Sequence, residues 1–307
     1  MTTTLFLRAM LLGEALFYAL VAWLLFRAGW HGTAVASVIV VMALAGRAFV
    51  ISSTYIFAAL FRTAVAPDQR VGPLGFLGMA LAEYAAFSII FTVIQPFERF
   101  WLGADRLGGN KDRLPLLLVH GFQCNRGFWF WQRRRLEQAG WTVATLNLDP
   151  MFASIDSYGE LIDLRIAEVL AATGAAKLIL VGHSMGGLAL RAYLRAHGKA
   201  RVAKLITLGS PHHGSRLAML GAGINARQME PESVWLDALN RPGAAQLPSD
   251  TVSVRSLYDN YVMPQDSSLL ANARNVVVGP VGHLSMAFAP SVTKLLLAEL
   301  GATESVR

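Results

Sequence analysis

Three long apolar stretches near the N-terminus constrain this chain more than any other feature. They run over about residues 5–26, 33–61 and 74–94. A helix needs roughly 20 mostly apolar residues to cross about 30 Å of hydrocarbon, and all three stretches reach that length. Trp23, Trp30, Tyr55, Phe100 and Trp101 lie toward their ends, where amphipathic rings favour the membrane–water boundary. The first 100 residues hold six basic residues (Arg8, Arg27, Arg47, Arg62, Arg70, Arg99) and four acidic ones (Glu14, Asp68, Glu83, Glu98), out of 27 and 20 in the whole chain of 307. The low overall charged share of 15% is therefore an average over a membrane-like third and an ordinary remainder.

Glu14, Arg47 and Glu83 fall inside the apolar stretches. An isolated charge at mid-bilayer is costly, so such residues pair or face a bundle interior. Two readings follow, an interhelical Glu–Arg pair that holds the bundle or a polar site within it. A third is that one stretch lies along the interface. A cleaved signal peptide is the alternative for the first stretch, with Ala34-Val35-Ala36 as a small-residue cleavage site. The length of the apolar run and the second run that follows it favour a span.

The net charge of +7 is mild and lacks a dense Lys/Arg run. That argues against a nucleic-acid partner and leaves room for membrane lipid headgroups. Cys124 is the sole cysteine and excludes an internal disulfide. Three spans put the two termini on opposite sides. Arg27, Arg99, Arg106, Lys111 and Arg113 on one side outnumber Arg62 and Arg70 on the other, with Arg8 doubtful. The count leans the C-terminal part toward the cytoplasmic face of a bacterial inner membrane, with the protein multi-pass.

The pattern changes near residue 114, after a polar linker over 102–113. Short apolar runs over 114–119, 143–148, 177–181, 202–208, 252–257 and 275–278 read as strands. Helical segments over 158–172, 185–196, 232–239 and 291–300 alternate with several of them. Alternation of this kind predicts an α/β domain over 114–307, with a mostly parallel sheet covered by helices on both faces.

The segment Gly182-His183-Ser184-Met185-Gly186-Gly187 follows an apolar strand and opens a helix. This is G-x-S-x-G in the strand–turn–helix setting that lifts a serine onto a tight elbow. Ser184 is the candidate nucleophile, with Gly182 and Gly186 shaping the turn. Acyl transfer also needs N–H donors for the developing oxyanion. Met185, at the helix start, and Phe122, after His120-Gly121 at the end of the first strand, are placed to supply them. His120 itself reads as a turn-stabilising residue.

A base and an acid should follow in the chain order serine, acid, histidine. Of seven histidines only His283 follows the last strand, in Gly282-His283-Leu284-Ser285. The acid should follow the preceding strand, where Asp259 stands at the strand end and Asp266 is the alternative.

Together Gly182–Gly187, His120-Gly121, Gly209–Ser215, Ala226–Met229, Tyr258–Pro264, Ala273–Val276 and Gly282-His283 resemble the small bacterial lipases and esterases of the α/β-hydrolase superfamily. The resemblance covers about residue 114 to the C-terminus and none of the apolar third. It implies an α/β-hydrolase fold with Ser184 as nucleophile, Asp259 as acid, His283 as base and Phe122 as oxyanion donor. Those lipases are secreted, and the multi-span N-terminus departs from that habit. Some relatives bind calcium, but no carboxylate cluster carries that over, and no metal or cofactor is expected.

Three further features have two readings each. In Gly127–Arg135 an aromatic cluster adjoins a basic run. It reads either as a surface that docks on lipid or lines an acyl groove, or as a helix with a buried aromatic face. Residues 215–249 are long for a connection and read as a lid or as packed surface helix, with Met219, Leu220, Met229, Trp235 and Leu239 as candidate acyl contacts. His212-His213 lacks metal partners and reads as structural. The whole predicts a membrane-anchored serine hydrolase of carboxylic esters, with an ester or lipid substrate. An acyltransferase or thioesterase on the same triad, and a non-catalytic membrane-bound binding module, are the alternatives.

Overall fold

The computed structural model describes residues 1–108 and 112–304. Part of the expected linker, 109–111 with Lys111, lies outside the described residues. Three N-terminal helices come first: α1 (Thr3–Arg27), α2 (Gly32–Phe61) and α3 (Pro73–Ser88). Pro73 opens α3, where its fixed φ suits a first turn and its missing N–H has no helical partner to lose. Beyond Ser88 the helix widens into a π-helical segment over Ile89–Ile94, just before Pro96. A proline ring crowds the carbonyl four residues back, and loosening the preceding turn relieves that clash. The carbonyl of Pro96 itself accepts from Arg8 Nε of α1 at 2.7 Å. Counting this continuation to Leu102, all three helices are long and apolar enough to cross a membrane.

Arg47 grips Glu14 with two hydrogen bonds, of 2.7 and 3.1 Å, and also donates to Thr92 of the α3 continuation. Tyr18 donates to the same glutamate at 2.8 Å. The Glu–Arg reading of the charges inside the apolar stretches therefore holds for Glu14 and Arg47. Glu83 is not part of that pair.

The C-terminal part is a six-stranded parallel sheet in the order β2-β1-β3-β4-β5-β6. Its strands are β1 (Leu116–Val119), β2 (Val143–Leu146), β3 (Leu178–His183), β4 (Val202–Leu208), β5 (Asp250–Arg255) and β6 (Arg274–Val277). Each matches an expected strand to within a few residues. Leu118 lies opposite Val181, Val181 opposite Ile206, and Ile206 opposite Val252. These side chains point to one face, where they meet Phe128, Trp129 and Leu296. Their neighbours Leu117, Leu180 and Leu205 point to the other face and meet Ile162, Leu188 and Tyr193. Alternation in direction with apolar residues at both parities is what a sheet covered on both sides requires.

Two features tie the apolar third to this domain. Ala86 and Ile90 of the third helix belong to the first sheet-face core and are fully or almost fully buried. Asp105 follows that helix and accepts from Arg133, Arg165 and the Thr145 N–H. The aromatic–basic segment is split accordingly. Phe128 and Trp129 are core, Arg133 is buried against Asp105, and Arg134 and Arg135 sit exposed over the rings of Phe130 and Trp131. The buried-aromatic reading describes the first part, and an exposed basic end describes the second.

Candidate active site

The elbow is built where β3 ends. Ser184 has φ +55° and ψ −128°, a conformation that a side-chain-bearing residue adopts only under constraint. Its N–H is held by the Leu208 carbonyl of β4 at 2.9 Å. A Cβ on Gly186 would come within 2.4 Å of the Val119 carbonyl oxygen and 2.6 Å of that of His120. Glycine there is a packing requirement: the helix Met185–His197 starts directly against the end of β1. Gly121 plays a similar part from the other side, since a Cβ on it would meet the Ser184 Cβ at 2.7 Å. The His120–Phe122 loop thus passes in direct contact with the elbow. Met185 is the first residue of its helix, so its N–H has no intrahelical carbonyl to meet.

Asp259 and His283 are brought together. The Asp259 Oδ2 atom lies 2.7 Å from His283 Nδ1, and both residues are buried. The other oxygen of Asp259 accepts from the N–H groups of Tyr261 and Val262, each at 2.8 Å. Asp259 thus meets three donors, from His283, Tyr261 and Val262. The first of these bonds places the proton of His283 on Nδ1 and leaves Nε2 with a free lone pair. Asp266, the alternative acid, lies instead against Arg255.

Several residues around the histidine had no role assigned from sequence. His183, inside the elbow motif, stacks on Phe128 with centroids 4.1 Å apart and donates from Nε2 to the His283 carbonyl at 3.2 Å. Burial pushes its pKa well below the usual histidine value, so it stays neutral. Tyr261 stacks on the His283 ring. Asn260 accepts from the His283 N–H at 3.0 Å, and Gln265 donates to the Asp259 carbonyl at 2.8 Å. Glu83 accepts from the N–H groups of Leu284 and Ser285. A charge inside an apolar stretch was the one signal that singled out Glu83. The others carry no signature, because their roles depend on loops that meet only in the folded chain.

His120 has the turn-stabilising role expected. Nδ1 bonds the Gly121 carbonyl, and Nε2 accepts from the Leu148 N–H, both at 2.9 Å. Burial lowers its pKa to about 4. His212 accepts from Arg191 and is bonded to Thr207, in a buried network. Its pKa is lowered by burial and then by the Arg191 charge. Cys124 is buried, and burial pushes its thiol up to about 12, which makes it a poor nucleophile.

Ser184 and His283 open on a cavity of about 1130 Å³. Phe122 forms part of its wall, as do Leu217, Leu220 and Met229 of the long connection. The first half of that connection therefore lines the cavity, while Leu236 and Leu239 pack into the domain core and Trp235 bonds Asp156 on the surface. A large part of the wall comes from the apolar third: Phe6, Met10 and Phe17 of α1, Val50 of α2, and Phe87 and Phe91. Phe6 and Phe17 are eleven residues apart on one helix, so the cavity extends along α1 by about 16 Å.

Residues 115–230 match the family model for the α/β hydrolase fold. The chain is 39% identical over 115 residues to a triacylglycerol lipase of Pseudarthrobacter phenanthrenivorans, covering 34% of this chain and 35% of that protein. A triacylglycerol lipase of Burkholderia plantarii is also 39% identical over 115 residues, covering 34% and 32%. One from Vibrio cholerae is 31% identical over 147 residues, covering 44% and 46%. The chain thus spans about a third to a half of the length of these relatives. Among solved structures, the mature form of a Bacillus licheniformis lipase superposes with a TM-score of 0.54 at 19% identity, over 64% of this chain and 94% of that one. Aspergillus fumigatus lipase B gives a TM-score of 0.57 at 19% identity, over 68% and 58%. The six-stranded parallel sheet and these matches agree: this chain is an α/β-hydrolase-fold protein with triacylglycerol lipases among its relatives, its fold preceded by three helices apolar enough to span a membrane.

Proposed function

We propose that the chain is a membrane-anchored serine hydrolase of carboxylic esters, acting through Ser184, His283 and Asp259. The observation that carries this reading is the buried Asp259–His283 hydrogen bond beside a strained Ser184, with serine and histidine facing one cavity. His283 Nε2 takes the hydroxyl proton as Ser184 Oγ attacks the ester carbonyl. The N–H groups of Phe122 and Met185 hold the oxyanion, a contribution of about 2.7–4 kcal/mol for each donor in comparable sites. The imidazolium, held by Asp259, then protonates the leaving alcohol. Water, deprotonated by His283, attacks the acyl-enzyme and releases the acid and the serine.

A lipid ester suits the cavity. Its wall is largely apolar, and part of that wall belongs to helices that would lie in the bilayer. An acyl chain could then leave the bilayer without crossing water, while its ester reaches Ser184. In this reading residues 1–101 are the membrane anchor, 102–113 a linker and 114–307 the catalytic domain, in a bacterial inner membrane.

The test is labelling of the detergent-solubilised full chain with a fluorophosphonate probe. Labelling of the wild type, lost in Ser184→Ala, is expected together with hydrolysis of a p-nitrophenyl ester. Folded wild-type protein that neither labels nor hydrolyses the ester overturns the reading.

A further inference from the structure

Glu83 is the only acidic residue of α3 and is completely buried. A carboxylate in a membrane-spanning helix is costly unless its oxygens are satisfied. Among the described residues no arginine or lysine side chain bonds to it. Instead Oε1 accepts from the Leu284 N–H and Oε2 from the Ser285 N–H, each at 2.8 Å. These are the two amides directly after His283, at the start of the short turn Leu284–Ala287. The fit is tight, since a Cβ on Gly282 would come within 2.4 Å of Glu83 Oε2 and 2.7 Å of the Tyr55 hydroxyl. Glycine at 282 lets the carboxylate reach the turn.

A second anchor comes from α2. Thr54 Oγ1 accepts from Asn260 Nδ2 at 2.7 Å, while Asn260 Oδ1 accepts from the His283 N–H. Beyond the end of α2, the Thr63 N–H donates to Gln265, which donates to the Asp259 carbonyl. Both loops of the acid–base pair are thus fastened to the helical third.

We propose that Glu83 is a positioning residue for His283. It fixes the backbone turn that carries the imidazole, so that Nε2 stands where it can take the Ser184 proton. This rests on the function proposed above. The helices are then a working part of the active site as well as an anchor. The carboxyl suits the task because it offers two acceptor oxygens side by side, one for each of the two successive amides, in a buried setting. Misplacement of a reacting group by about 1 Å can cost on the order of 100-fold in rate.

The test compares Glu83→Gln and Glu83→Ala with the wild type, each as full chain in detergent. Sites are titrated with a fluorophosphonate, so that turnover is counted per reactive serine. A glutamine keeps one acceptor oxygen, and alanine keeps none. The expected result is a fall in kcat per titrated site of about 100-fold for Glu83→Ala and a smaller fall for Glu83→Gln, with KM little changed. The Leu284 and Ser285 amides should lose hydrogen-exchange protection in step. A purely structural role would lower the titratable fraction and leave turnover per site as in the wild type. That outcome, or lost turnover with protection intact, overturns the proposal. If Glu83→Ala does not accumulate, Glu83→Gln and Thr54→Val carry the test, and wild-type turnover per site in both overturns it. A wild type that does not label at Ser184 sinks the hydrolase reading instead, and the exchange measurement still reports whether Glu83 holds the turn.

Discussion

Asp259 and His283 share a hydrogen bond of 2.7 Å between Oδ2 and Nδ1, with both side chains shielded from water. The bond assigns the proton to Nδ1, the tautomer a base acting through Nε2 needs. Asp259→Asn keeps the shape but offers an amide that can donate to Nδ1, which stabilises the wrong tautomer. Turnover of a soluble ester should fall by about 10⁴-fold, as in other triads so altered, with the fold intact by circular dichroism. A fall of less than about 10-fold would remove Asp259 from the role.

The reach of the cavity along α1 and α2 bears on chain length. Gly46 lines it, and a Cβ there would meet nothing within 4 Å. Gly46→Phe should therefore fill part of the cavity without a backbone clash. The ratio of kcat/KM for a long-chain p-nitrophenyl ester to that for a short-chain one should drop about 10-fold, since each buried methylene contributes about 0.8 kcal/mol. An unchanged ratio would place the acyl chain elsewhere.

The Glu14–Arg47 pair should behave as a matched unit. Arg47→Met leaves Glu14 in apolar surroundings with only Tyr18 as a donor. Removing one partner of such a pair is strongly destabilising, whereas replacing both is often neutral. Thermal unfolding in detergent should therefore rank Arg47→Met well below the Glu14→Gln/Arg47→Met double variant, with the double variant near wild type. Equal losses in both would show that the pair does not hold the bundle.

Stability should decline in mild acid because of histidines buried in neutral form. His120 has its pKa lowered by burial to about 4, from an unfolded value near 6.5. Between those values the unfolded chain binds the proton and the native state does not, so stability rises with pH across that window. It is fully present above about 6.5 and is lost as pH falls toward 4, by about 3 kcal/mol from this one residue. His183 and His212, also lowered, act in the same direction. Denaturant midpoints at pH 7 and pH 5 measure the effect, and His120→Gln should reduce the difference between them.

Much of the candidate site was legible because its residues sit at motif positions tied to local structure. The serine elbow needs Gly186 beside a strand end, and this backbone crowding leaves a mark in sequence. Asp259 and His283 follow the last two strands, β5 and β6, in the chain order expected after the elbow serine. The elements themselves were readable from apolar runs bounded by turns. The supporting contacts were not. Asn260, Gln265, Tyr261 and His183 are ordinary residues whose significance lies in what faces them.

The sequence by itself determined that an apolar helical third precedes an α/β domain, and where the candidate nucleophile, base and acid stand along the chain. Periodicity, turn residues and local steric needs are short-range properties, and a linear chain records them. Only the tertiary structure decided that Glu14 pairs with Arg47 while Glu83 turns to the His283 loop, 201 residues away in the chain. Three charges in three helices allow either partner on composition alone. The choice depends on which backbone donors the packed hydrolase domain presents to α3, and that is settled by the contact of Ala86 and Ile90 with the core of the sheet.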